Sequence, residues 1–434
     1  MRILQVANGY PHRAYGGVEL HTQRLAAALR ERGHELAVFT RTSDLTLVDG
    51  TLFDETVDGV PVRTVVNDFK GGAFRDHYRN ERVREELVRF AREVRPDVVH
   101  VQHLIGLSAD LPEAARALSI PVVATIHEYW YVCQRVMLQH RDGRPCRGPS
   151  HESCIDCVRM PNGAEAPRPV HPDAGASVAV GPEENRDRFR ALASAIAAFE
   201  RIVTPSQFVI DEYARQGMPL PPERTRAVSL GVDRGGFDKV APVPDPRVRA
   251  ERPLRLGFVG HQLHHKGPHV LVEALRRVPD LPIELSLWGT EWPDHPYDAT
   301  LRDLVAREPR ARRCGRFADG GLPDVLASFD VLVVPSTCPE SFGIATREAF
   351  LAGRPVLTSD RGALPESVRD GIDGLVVAGE DPDALAAALL RLVTEPRLLE
   401  TLVFGAAASR ERVKTMASYA AEIEGFLYRP VVSA

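Results

Sequence analysis

Apolar positions along this chain follow two rhythms, short buried runs and longer stretches with helical spacing. Arg2 to Ala7 is a short apolar run, followed by a loop from Asn8 to Gly17 rich in Gly, Pro and Tyr. From Val18 to Arg32, residues Val18, Leu20, Leu25, Ala28 and Leu29 recur near the helical period. The pattern predicts strand, loop and helix, with Gly33 as the stop and Glu35 to Thr40 as the next strand. Further strand signals lie at Asp97 to Val101 and Pro121 to Ile126. The rhythm restarts near residue 254, with strands expected at Arg255 to Val259, Ile283 to Trp288, Asp330 to Pro335 and Pro355 to Thr358. Strands alternating with helices predict an α/β fold, here two doubly wound Rossmann-like units with a cleft between them. A length of 434 residues agrees, because it exceeds what one core usually supports.

The expected division is a first unit at 1–241, a connector at 242–253, a second unit at 254–412 and a tail at 413–434. Pro242-Val243-Pro244-Asp245-Pro246 makes the connector stiff and helix-breaking. Ala417 to Leu427 reads as a helix that could pack back across the first unit. Residues 133–186 form an insertion with four cysteines, then a Pro/Gly/His-rich stretch from Met160 to Pro182. A loop of that length is usually functional or mobile.

The segment from Pro335 to Glu348 carries the most chemistry. It follows an apolar strand and opens a helix, with Ser341 as the expected N-cap and Gly343 admitting a ligand to the backbone. Free N–H groups and the helix dipole suit a diphosphate. Read as helix, Glu340 and Glu348 stand about 12 Å apart, the span of a ligand with sugar at one end and ribose at the other. The plain alternative is that Glu340 supports the helix start and Glu348 is a solvated surface residue. Lys266-Gly267 ends the loop after the first strand of the second unit, where a lysine could neutralise a leaving diphosphate or simply be solvated.

Composition sharpens this picture in three places. Only four lysines occur (Lys70, Lys239, Lys266 and Lys414), so Lys266 stands out in a chain whose positive charge is mostly arginine. That bias, with abundant Ala, Gly and Pro, fits a GC-rich bacterial genome. A net charge of -5 argues against a broad nucleic-acid or anionic-lipid surface. No targeting segment and no transmembrane segment is visible, which places the chain in the cytoplasm and its six cysteines among reduced thiols or metal ligands. Cys133, Cys146, Cys154 and Cys157 are spaced C-x12-C-x7-C-x2-C, which reads either as a structural zinc site or as free, redox-sensitive thiols. His12, His21, His34 and His77 read as surface or packing residues, and Tyr10 and Tyr15 as acceptor contacts or packing.

Together these motifs resemble retaining glycosyltransferases of family 4, which have the GT-B fold. Glu340 and Glu348 match the family's E-x7-E element around Ser341-Phe342-Gly343, and Lys266-Gly267 its basic position. Gly362-Ala363-Leu364-Pro365-Glu366 matches the loop that follows, and Gly16-Gly17-Val18-Glu19 the N-terminal glycine loop. Val99-His100-Val101-Gln102-His103 and Ala124-Thr125-Ile126-His127-Glu128-Tyr129-Trp130 match two strand-end histidine motifs.

The resemblance implies a nucleotide-diphosphate sugar donor, uridine by default, a hydroxyl-bearing acceptor (polysaccharide, lipid or small natural product) and no catalytic cofactor. It assigns the donor sugar to Glu340, the ribose to Glu348, the leaving diphosphate to Lys266 and the amides of Phe342, Gly343, Ile344 and Ala345, and a sugar contact to His127. Gly16, Gly17, Arg316, Phe317 and Ser341 fall on the donor side, and Tyr15, Glu19, His103 and Tyr129 on the acceptor side. His261 stands where many relatives carry Arg, so donor affinity is expected to fall as pH rises through the histidine range. An epimerase acting on nucleotide sugars or a non-catalytic nucleotide-sugar binder are the rival readings.

Overall fold

The computed structural model describes residues 1–14, 16–68, 74–140, 143–146, 148, 154–155, 157, 181–241, 243 and 252–432. Tyr15, most of the connector and nearly all of Met160 to Pro182 lie outside these residues. The first sheet contains β1 (Arg2–Ala7), β2 (Glu35–Thr42), β3 (Leu52–Val57), β4 (Val60–Val66), β5 (Val98–Val101), β6 (Val122–Thr125), β7 (Arg201–Thr204) and β8 (Thr225–Ala227). Its order is β3-β4-β2-β1-β5-β6-β7-β8. Every pairing is parallel except β3 with β4, a hairpin turned by Asp58-Gly59 that the sequence reading did not anticipate.

The second sheet contains β9 (Leu254–Val259), β10 (Ile283–Trp288), β11 (Ala311–Gly315), β12 (Val331–Val334), β13 (Val356–Ser359) and β14 (Gly374–Val377). Its order, β11-β10-β9-β12-β13-β14, is parallel throughout. That is the doubly wound order, which reverses direction beside the first strand of each unit. The reversal matters for function. Loops leaving neighbouring strands to opposite faces open a crevice at the strands' carboxyl ends, and ligands bind there.

Local sequence explains the helices that flank the sheets. In Glu81–Val94, Val83, Leu87, Phe90 and Ala91 form one buried stripe, Asn80 accepts the N–H of Val83 as N-cap, and left-handed Arg95 ends the helix. A fully buried leucine such as Leu87 contributes about 1.5–3 kcal/mol. One apolar cluster is shared by both units, running from Ile3 and Leu25 through Phe329 and Leu332 to Tyr419 and Tyr428. The last two belong to the C-terminal segment, whose Met416–Ile423 helix packs on Gly17–Glu31 of the first unit. The chain's two passages between the units also touch. Val232 and Thr415 form a β-bridge, and Arg234 donates to the carbonyls of Arg410 and Val413. Among the described residues no helix is long and apolar enough to cross a membrane.

Candidate functional site

The loops after β9 and β12 meet at the reversal point of the second sheet. After β9 the chain makes a single tight turn, His264–Lys266, and then Gly267 adopts a φ of 71°. A Cβ at Gly267 would lie 1.9 Å from the carbonyl oxygen of Pro335, so only glycine allows the two loops to approach this closely. The N–H of Thr337 donates to the carbonyl of His265 at 2.9 Å. The approach places Lys266 Nζ 2.7 Å from Glu340 Oε1, which also accepts from Ser336 Oγ at 2.6 Å. Burial works against the Lys266 charge, yet Glu340 carries its pKa above the ordinary lysine value. Burial likewise opposes ionisation of Glu340, and Lys266 with Ser336 holds it below the ordinary carboxylate value. The site is a preformed ion pair, not a lone cation.

Glu340 is not helical, which corrects the spacing argument. Its backbone bridges to Gly362, and its carbonyl accepts the N–H of Ala363 at 2.7 Å. The helix starts at Ile344, and its N-cap is Gly343, at a φ of 70°, rather than Ser341. The first turn of such a helix leaves N–H groups for a ligand, here beginning with Ile344 and Ala345. Ser341 instead accepts, through its carbonyl, the hydroxyl of Ser206 from the first unit at 2.7 Å. Phe342 is buried beneath the guanidinium of Arg347, 3.7 Å from the ring centroid. Glu348, one turn along the helix, is half-buried. Burial pushes its carboxyl up to about 7, against the pull of Arg24 and with the push of Asp233. Arg24 belongs to the first helix of the other unit, so Glu348 looks across the cleft.

Burial, Lys266 and Arg316 all hold the pKa of His261 below the ordinary histidine value, so without a ligand the ring leans toward its neutral form. Arg316 is exposed beside it, and Phe317 packs partly on the shared core.

On the first unit, Gly16 caps the opening helix, and Glu19 folds back to accept from Asn8 Nδ2 at 3.1 Å. Gly17 has open space around its Cα. His103 donates through Nε2 to Glu128 Oε1 at 2.7 Å while its Nδ1 accepts the N–H of Ile105. His127 bonds Gln102 and stands edge-on to His21, which the sequence reading had left as a bland histidine. Tyr10 is a packing residue, 3% exposed. Tyr129 is 1% exposed, and its hydroxyl has no hydrogen-bond partner among the described residues. Burial, then Cys338, Glu212 and Glu340, raise its pKa well above the phenol range, which places this first-unit side chain beside the Lys266–Glu340 pair.

The four insertion cysteines share one neighbourhood, and burial with the other three thiols pushes Cys154 up to about 12. All are free. Among the described residues no group of three or more His, Cys, Asp or Glu is arranged to hold a metal, and zinc is not supported.

Comparison with known proteins follows the same lines. The model of "Glycosyltransferase Family 4" matches residues 15–235, and that of "Glycosyl transferases group 1" matches residues 253–395. A D-inositol 3-phosphate glycosyltransferase of Actinosynnema mirum is 28% identical over 89% of this chain and 86% of its own. A protein of the same name from Corynebacterium urealyticum is 36% identical, over 32% of this chain and 35% of its own length. Among solved structures, Anabaena Alr3699/HepE in complex with UDP and glucose superposes with a TM-score of 0.66 at 19% identity, covering 98% of this chain and 99% of that one. Sucrose-phosphate synthase from Thermosynechococcus elongatus gives a TM-score of 0.67 at 20% identity, covering 100% of this chain and 99% of the other.

Proposed function

This chain belongs to glycosyltransferase family 4, and from that premise we propose that it moves a sugar from a nucleoside-diphosphate donor to a hydroxyl acceptor with retention of configuration. The observation that carries the reading is the Lys266–Glu340 pair at the reversal point of the second sheet, next to a helix N-terminus. An arriving diphosphate competes with Glu340 for Lys266. The lysine then neutralises the leaving phosphate, together with the amides from Phe342 to Ala345, and Glu340 turns to the sugar hydroxyls. Glu348 takes the ribose, and Arg316 with Phe317 lies toward the base. Uridine is the preferred base, supported by the UDP complex of the Anabaena structure.

Residues 254–412 hold the donor in this reading. Residues 1–241 hold the acceptor on the side of Glu19, His103 and Tyr129, while His127 faces the transferred sugar. The departing phosphate takes the acceptor proton, so no separate general base is required. Acceptors rich in hydroxyls are supported by the names of the relatives, D-inositol 3-phosphate glycosyltransferase among them.

The test is transfer from a panel of UDP-, GDP-, ADP- and TDP-sugars, the donor being chosen by thermal shift. Lys266→Met should lower kcat by about 100-fold or more with the fold intact. Glu340→Gln should lower transfer similarly while tightening the free nucleoside diphosphate, because the internal competitor for Lys266 has gone. Near-normal turnover in both variants would overturn the proposed site.

A further inference from the structure

Behind the first unit's strand ends lies a chain of buried polar contacts that the donor site does not use. The C-terminal segment brings the Tyr428 hydroxyl 2.8 Å from His100 Nδ1. The other ring nitrogen of His100 lies 2.9 Å from Thr125 Oγ1. Gln102 brings its amide nitrogen 3.2 Å from His100 Nδ1, the nearer ring nitrogen, and its amide oxygen 2.8 Å from His127 Nε2. Tyr428, His100, Gln102, Thr125 and His127 are all buried.

The amide nitrogen of Gln102 can only donate, and it lies 3.2 Å from Nδ1 and 3.4 Å from Nε2 of His100, so it meets whichever nitrogen of that neutral ring is bare. The hydroxyls of Tyr428 and Thr125, each able to donate or accept, hold the two ring nitrogens of His100 in place. The amide oxygen of Gln102 can only accept, so His127 must carry its proton on Nε2. A neutral ring then presents a bare lone pair at Nδ1, an atom with no hydrogen-bond partner among the described residues. His21, whose ring centroid is 5.1 Å from that of His127, is 5.2 Å from Tyr419 of the same C-terminal segment. Burial keeps His21 and His100 down at about 3 and His127 well below the histidine range, so all three rings are neutral.

We propose that Tyr428, His100 and Gln102 form a positioning relay that fixes His127 as its Nε2–H tautomer, so that Nδ1 meets a substrate hydroxyl as an acceptor. The inference rests on the reading that His127 faces the transferred sugar. It also limits what the ring can grip. A hydroxyl fits the bare nitrogen, whereas an anion or a bare carbonyl does not. The segment that closes the chain thereby sets the geometry of a group at the first unit's cleft face.

Nitrogen-15 NMR of histidine-labelled, full-length protein should show His127 protonated at Nε2 and bare at Nδ1. Tyr428→Phe removes one oxygen and keeps the packing. It should shift His127 toward a tautomer mixture and lower kcat about five- to tenfold, with the donor KM little changed. Gln102→Leu should do the same more strongly. A wild-type His127 protonated at Nδ1 would overturn the relay whether or not either variant folds. A slow His127→Ala beside wild-type rates in Tyr428→Phe and Gln102→Leu would overturn the relay alone. A His127→Ala enzyme at the wild-type rate would overturn the underlying reading of the site, and the relay with it.

Discussion

Glu348 is a carboxyl whose ionisation is held back by burial in the empty protein. Burial raises its carboxyl from 4.5 to about 7. Across that window the folded chain keeps a proton that the unfolded chain has released, so stability falls as pH rises. Glu348→Gln is therefore expected to raise the melting temperature at about pH 8 and leave it unchanged at about pH 4.5. Equal shifts at both pH values would contradict the assignment. Ribose hydroxyls donating to the ionised carboxylate reverse the sign for ligand binding. Donor affinity should increase between about pH 6 and 8, which titration calorimetry would read directly. A charged His261 would give the opposite trend, so the sign of the pH dependence tells which of the two groups governs donor binding.

At the level of elements, the donor loop depends on two glycines. A Cβ at Gly343 would meet Leu364 Cδ2 at 2.6 Å, on a backbone whose φ is 70°. Gly343→Ala should cost about 1–3 kcal/mol and weaken donor binding by tilting the helix start. Gly267→Ala faces a backbone oxygen that cannot move aside, so circular dichroism should show a larger loss of stability. The long buried strands were legible because their apolar runs are continuous; Ile283 to Trp288 matches β10 from end to end. The β3–β4 hairpin was not, because β3 is an edge strand in which exposed and partly buried residues alternate. Glu340 and Glu348 stood out through the family resemblance and Lys266 through the scarcity of lysine, while the helical spacing between the two glutamates does not hold. The N-cap was misassigned because a left-handed glycine, not a hydroxyl side chain, starts the helix. Tyr428 and His100 are 328 residues apart, and no local pattern could pair them.

Over the whole molecule, the donor loop is held from the first unit as well as from its own. Ser206 bonds Ser341, Gln139 Nε2 bonds Thr337 Oγ1 at 3.1 Å, and the Glu366 carboxylate accepts the N–H groups of Gln207 and Phe208. Glu366→Ala takes the carboxylate away from those two N–H groups and leaves Ser206 as the helix's only cap. It should lower stability by about 1 kcal/mol and raise the donor KM, a coupling that a change confined to one unit would not produce. The paired passages at Val232 and Thr415 carry a further consequence. Two tethers stitched side by side make a single seam between the lobes, so a change at Val232 or Thr415 is felt by both crossings at once. Since the last tether ends as a lid over the first lobe's apolar face, neither lobe is a spare part. Severed at either tether, each lobe would lay bare apolar surface that the other now covers.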